Sequence, residues 1–173
     1  MENPVRKFKE DEFIEQFGVY FERSGYTRMA GRIFGFLLIS NPPHQSMGQI
    51  VERLHASKSS ISTNARLLIQ LNLVDQIPIP GERPLFYRVR PGGWTAVFLE
   101  RLMAVTRART LLADGLALLT GQPEEQRARL EEMDDMYAFC ERELPEMFAR
   151  WKARRNSLAP DQITDRKGND GSQ

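Results

Sequence analysis

The sequence predicts a mainly α fold: a winged helix-turn-helix with a short β-hairpin wing, flanked by N- and C-terminal dimerisation helices. Three observations predict it. Two short capped helical patterns meet at a tight turn around His55-Ala56; a proline-rich stretch from Leu73 to Arg90 reads as a hairpin; and long apolar seams at steps of three and four follow. This order divides the chain into an N-terminal helix (residues 1–26), a winged helix (27–92), long C-terminal helices (93–155) and a flexible polar tail (156–173).

The helices can be justified in order. Between residues 11 and 23, Phe13, Ile14, Phe17, Tyr20 and Phe21 recur at helical spacing, and Ser24-Gly25 ends the pattern. Thr27 caps a second helix that Asn41-Pro42-Pro43 stops, because proline supplies no backbone donor. Gly31 and Gly35, one turn apart on it, predict close packing against a neighbouring helix. Ser46-Met47-Gly48-Gln49 is a capping box opening a short helix with Ile50, Val51 and Leu54 inward. Ser57 caps the next, whose apolar side is Ile61, Ala65 and Leu68 and whose opposite face carries Ser59, Ser62, Thr63 and Arg66.

Leu73–Ile79 and Leu85–Arg90 are the expected strands, joined by a turn at Pro80-Gly81-Glu82-Arg83-Pro84. Pro78, Pro80 and Pro84 fit only at the tip or on edges. A long helix then carries Trp94, Phe98, Leu102, Val105, Leu112, Leu116 and Leu119 in near-heptad register, broken by Arg109. After Thr120-Gly121-Gln122-Pro123, a last helix carries Leu130, Met133, Tyr137, Cys140, Leu144, Met147 and Trp151, with a kink expected at Pro145.

Composition narrows the function classes. Hydrophobic residues at 41% and charged residues at 27% describe a globular chain with a real core. The longest apolar run, Ile33–Ile39, falls far short of the roughly 20 residues that span a bilayer, and no secretory signal opens the chain, so a cytoplasmic protein is expected. One cysteine excludes a disulfide framework and multi-thiolate metal sites; placed in the last seam beside Glu141 and Glu143, Cys140 is expected to be buried and inert. His44 and His55 lack metal-ligand spacing, and no phosphate loop, catalytic carboxylate pair or nucleophile elbow appears. Neither an enzyme, a cofactor nor a metal is expected.

A recognition helix enters the major groove with small or polar side chains outward. Ser57, Lys58, Ser59, Ser60, Ser62, Thr63 and Arg66 supply that pattern, with cations near the ends of the stretch to meet phosphates or guanine edges. At the wing, Arg83 projects from the turn with Arg88 and Arg90 behind it. The net charge is only +1, so a DNA function must rest on this local surface. Between residues 46 and 90, Arg53, Lys58, Arg66, Arg83, Arg88 and Arg90 outnumber Glu52, Asp75 and Glu82. A winged helix serving protein interaction shares the helices and hairpin but needs no such face.

The runs Gly31-Arg32-Ile33-Phe34-Gly35-Phe36-Leu37-Leu38-Ile39-Ser40, Ser57-Lys58-Ser59-Ser60-Ile61-Ser62, Leu73-Val74 and Pro80-Gly81-Glu82-Arg83 occur in that order. They resemble the GbsR-type branch of the MarR-like bacterial transcriptional regulators over residues 10 to 155. Ser59 departs from the glycine expected there, and Pro43-His44-Gln45 from a Leu-Ser pair. The resemblance implies a homodimer whose residues 57–66 read double-stranded DNA, with Arg83 in the wing. Repression of a palindromic operator and control by a small effector complete the expectation. The aromatics Trp94, Phe98, Tyr137 and Trp151 read first as core; the alternative is a cage for a quaternary ammonium effector.

Overall fold

The computed structural model describes residues 4–158. Helix α1 (Pro4–Arg23) is followed by α2 (Arg28–Ile39), strand β1 (Gln45–Ser46), α3 (Met47–Leu54), α4 (Lys58–Gln70), β2 (Val74–Ile77) and β3 (Phe86–Val89). Two long helices, α5 (Gly93–Leu118) and α6 (Glu124–Leu158), complete the chain. The molecule divides into two compact units, Met1–Glu100 and Arg101–Gln173.

The first unit is built around α2. Its side chains are buried on nearly every side, from Ala30 and Ile33 through Phe34, Phe36 and Leu37, which makes it the central helix rather than an amphipathic surface one. α1 lies along it, burying Ile14 and Phe21. The close approach needs glycine: a Cβ at Gly31 would lie 2.3 Å from the Phe17 carbonyl oxygen, and one at Gly35 would lie 2.8 Å from Phe17 Cβ. α1 begins seven residues earlier than its apolar spacing indicates, since Pro4 suits a first helical position and residues 5–10 are mostly exposed.

The caps form as their residues predict. Thr27 accepts from the Ala30 N–H at 3.2 Å. In the capping box, the Ser46 N–H donates to Gln49 Oε1 at 2.7 Å while the Gln49 N–H donates to Ser46 Oγ at 3.3 Å. His55 turns the chain between α3 and α4 in the left-handed conformation, with φ 49°. Ile50, Leu54, Ile61, Ala65, Leu68, Leu73 and Val74 join α2 and α1 in one core.

The wing has an additional strand that periodicity could not reveal, because β1 is two residues long. The sheet order is β1-β3-β2, both pairs antiparallel, with Ser46 opposite Phe86 and Asp75 opposite Arg88. Both hairpin strands are shorter than expected, leaving Pro78, Pro80 and Pro84 outside the ladder. At the tip, the Glu82 N–H reaches the Ile79 carbonyl at 3.0 Å across Pro80-Gly81, with Gly81 at φ 86°, the arrangement of a type II turn.

The second unit is of a different kind. Leu112 alone among its described side chains is a buried hydrophobic. Leu111, Leu118 and Phe139 are 73%, 84% and 56% exposed, and the seam residues Met133, Met147 and Trp151 are also exposed. Cys140, expected to be buried, is a free thiol of intermediate exposure, because its side of α6 is only partly covered among the described residues. Arg109, which interrupts the heptad register, forks between Asp134 at 3.1 Å and Glu141 at 2.5 Å, seven residues apart on one side of α6. Asn156 and Ser157, expected in the tail, still belong to α6, which runs through Pro145 to Leu158; the rest of the tail, residues 159–173, lies outside the described residues. Trp94 stacks on Phe34 with ring centroids 5.9 Å apart and also meets Tyr20 and Phe21, while Trp151 meets Phe148 and Arg155. The four aromatics of the expected cage are thus divided between the two units.

Candidate nucleic-acid interface

α4 turns about 100° per residue, so its buried side, Ile61, Asn64, Ala65 and Leu68, fixes what faces outward. Ser59, Thr63 and Arg66 follow at offsets of four and three along the middle of the opposite side, and all three are exposed. Gln70 continues the same row and is exposed too; sequence reasoning stopped at Arg66, although the next step of four points to it. Lys58 is exposed in the first turn, and Ser60 and Ser62 are half-buried on the two flanks. Ser57 is the N-cap: its Oγ accepts from the Ser60 N–H at 3.2 Å and lies 3.1 Å from Ser59 Oγ. Its hydroxyl is therefore engaged in holding the helix start.

Arg66 lies beside the wing. Burial pushes the Tyr87 phenol above its ordinary value, and the positive charge of Arg66 opposes that push. The Tyr87 hydroxyl also accepts from Gln76 Nε2 at 3.1 Å, joining the two strands.

The wing cations divide into two groups. Asp75 sits between Arg90 at 2.7 Å and Arg88 at 3.8 Å, and Arg90 Nη1 also donates to Asn72 Oδ1 at 2.8 Å. These pairs brace the base of the wing, so the charge of Arg88 is partly balanced within the chain. Arg83 is exposed at the tip, and among the described residues no ion pair engages it. Arg53 points to the far side of α3, where Asp11 lies at 2.5 Å and Glu10 at 3.7 Å. The excess of cations seen in the sequence thus narrows to Lys58, Arg66 and Arg83 once these pairs are formed.

The arrangement is a polar, shallow helix face with cations at its ends and a single arginine on a projecting turn. It can donate and accept hydrogen bonds along a row and supply positive charge at separated points. Among the described residues, no cluster of His, Cys, Asp or Glu is placed to hold a metal ion, and no helix is long and apolar enough to cross a membrane.

Known proteins share this organisation. The family model described as MarR family matches residues 24–83, and the model for MmpR5-like MarR family transcriptional regulators matches residues 92–154. The chain is 38% identical over 143 residues to the HTH-type transcriptional regulator MmpR5 of Mycobacterium tuberculosis, covering 83% of this chain and 87% of that protein. A solved structure of a transcriptional regulator superposes with a TM-score of 0.67 at 37% identity, covering 84% of this chain and 99% of the other. The chain belongs to the MarR family of winged helix transcriptional regulators and is MmpR5-like within it.

Proposed function

We propose that this protein is a sequence-specific, double-stranded DNA-binding transcriptional regulator that works as a homodimer in the cytoplasm, repressing from a palindromic operator. The observation that carries the reading is the exposed row Ser59, Thr63 and Arg66 on a capped helix, flanked by Lys58 and by Arg83 at the exposed tip of the wing. In the groove, Ser59, Ser62 and Thr63 meet base edges or phosphates, and Arg66 meets a guanine edge or phosphate. Ser57 and Ser60 hold the helix start, whose backbone N–H groups favour a phosphate. Arg83 reaches the backbone or the adjacent minor groove, and Arg88 supports it from the wing.

Dimerisation has its own support. Leu111, Leu118 and Phe139 are large apolar side chains left exposed on α5 and α6 of the single chain, and a second copy covers them. α5 and α6 are the dimerisation helices of this reading. α1 contributes with Phe8, exposed on its first turns, while its Ile14 and Phe21 are committed to α2. A small effector acting on the dimer fits the same architecture, and the motif order supports a place near the GbsR-type branch. The chain has no catalytic role in this reading.

Mobility shift of a duplex selected by the wild type from a random pool is the test. Lys58→Ala, Arg66→Ala and Arg83→Ala each weaken binding, and the log–log salt slope falls by about 0.9 for each phosphate that a variant ceases to neutralise. Binding undiminished in all three variants, or absent at low salt, returns the winged helix to a protein-interaction role.

A further inference from the structure

One polar side chain of α4 faces the core rather than the solvent. Asn64 is 8% exposed among Ile61, Ala65 and Leu68. Its Nδ2 donates to the Ser60 carbonyl at 2.8 Å, and its Oδ1 accepts from the hydroxyl of Thr27, 37 residues away at the start of α2. The donor directions are fixed. An amide oxygen only accepts, so Thr27 donates its one proton to Asn64 and uses a lone pair to accept from the Ala30 N–H at 3.2 Å. Reversing the amide would set Oδ1 against the Ser60 carbonyl.

Apolar contacts alone hold a helix against a core without fixing its rotation closely, whereas a buried amide with two directional bonds has one satisfied orientation. At a side-chain radius of about 5 Å, a rotation of roughly 20° carries an outward side chain through nearly 2 Å, more than a hydrogen bond tolerates. Ser59, Thr63, Arg66 and Gln70 move together in such a rotation, because they share one rigid helix.

We propose that the Thr27–Asn64 latch is the positioning device of the recognition helix: it ties the rotation of α4 to the first turn of α2 and so determines how sharply the exposed row discriminates base pairs. Neither residue touches DNA in this role. The inference rests on the DNA-binding reading above, and it gives a reason for an amide at a buried position of α4. Thr27 is itself exposed, so water satisfies its hydroxyl when Asn64 is replaced, and Asn64→Leu leaves no buried donor without a partner.

The test compares affinity for the duplex selected by the wild type with affinity for a scrambled duplex, across a salt series, in the full-length protein. Asn64→Leu and Thr27→Val each lower the ratio of the two affinities by about tenfold, while affinity for the scrambled duplex, its salt slope and the far-ultraviolet circular dichroism stay at wild-type values. Thr27→Ser, which keeps the hydroxyl, keeps the ratio. A folded Asn64→Leu with the wild-type ratio overturns the inference. If Asn64→Leu does not fold, the Thr27 pair decides: equal ratios for Val and Ser overturn it, and a lowered ratio in Val with retention in Ser supports it. A wild type that prefers no duplex removes the function reading and this inference together, whereas a discriminating wild type with indifferent variants removes only the latch.

Discussion

The two units bury their apolar side chains in different ways. Residues up to Glu100 close a core on themselves, with Ile33, Ile50, Ile61, Leu68 and Val74 fully buried from several different elements. Beyond Arg101, two helices with comparable apolar seams bury only Leu112 among the described side chains, leave most of the seam half-buried and leave Met133, Met147 and Trp151 exposed. Helical spacing is the same signal in both, and only the tertiary context decides whether it produces a closed core or leaves apolar side chains open. The first unit carries the small polar face of α4 on that core. The second leaves Leu111, Leu118 and Phe139 exposed, the surface that the proposed dimer covers.

The largest effect should come from breaking the closed core. Leu68→Ala removes a fully buried side chain beneath the exposed row, and chemical unfolding should show a destabilisation of about 2–5 kcal/mol. Next is the open surface: Leu111→Glu, at a position 73% exposed in the chain alone, should weaken self-association at least thirtyfold, the ~2 kcal/mol of an interface hot spot. Sedimentation measures it. A truly solvated Leu111 would leave self-association unchanged, and the contrast between the units would then fail.

A smaller effect separates helix geometry from groove contacts. Ser57→Ala removes the cap of α4 and should cost about 0.5–2 kcal/mol in thermal or chemical unfolding. Smallest is the Arg109 fork of the second unit. Hydrogen bonds from Arg109 and then Thr106 hold the Glu141 carboxyl below its ordinary value of 4.5, and the Asp134 and Glu141 hydrogen bonds raise Arg109. A depressed carboxylate adds stability above its unfolded value and loses it as pH falls through the folded one. Acid titration of the wild type should therefore show a decline below about pH 4.5 that Arg109→Met flattens, modestly because the pair is solvated.

Much of the first unit was legible because its signals are local and chemical. Ser46 with Gln49, Thr27 and Ser57 carry caps in their own side chains, and Pro80-Gly81 dictates its turn. β1 was not legible, since two residues have no periodicity and their pairing with β3 is set at a distance of forty residues in the chain. The Asp75 clamp on Arg88 and Arg90 was hidden for the same reason: counting charges shows how many cations a segment has, not which of them the fold has already paired. Asn64 stood unremarked among serines because its function in the core depends on Thr27 meeting it across two helices. In the second unit the seam was legible as a row, and Arg109 marks where α5 is held to α6.

In the proposed dimer, the open helices bring two copies together so that two closed heads read two half-sites about 34 Å apart. Sedimentation of the protein with its selected duplex, at concentrations well above dissociation, tests it most directly. Two protomers per duplex, with a single half-site bound at least a hundredfold more weakly, is the predicted result. One protomer saturating the duplex, with equal affinity for the half-site, would contradict it.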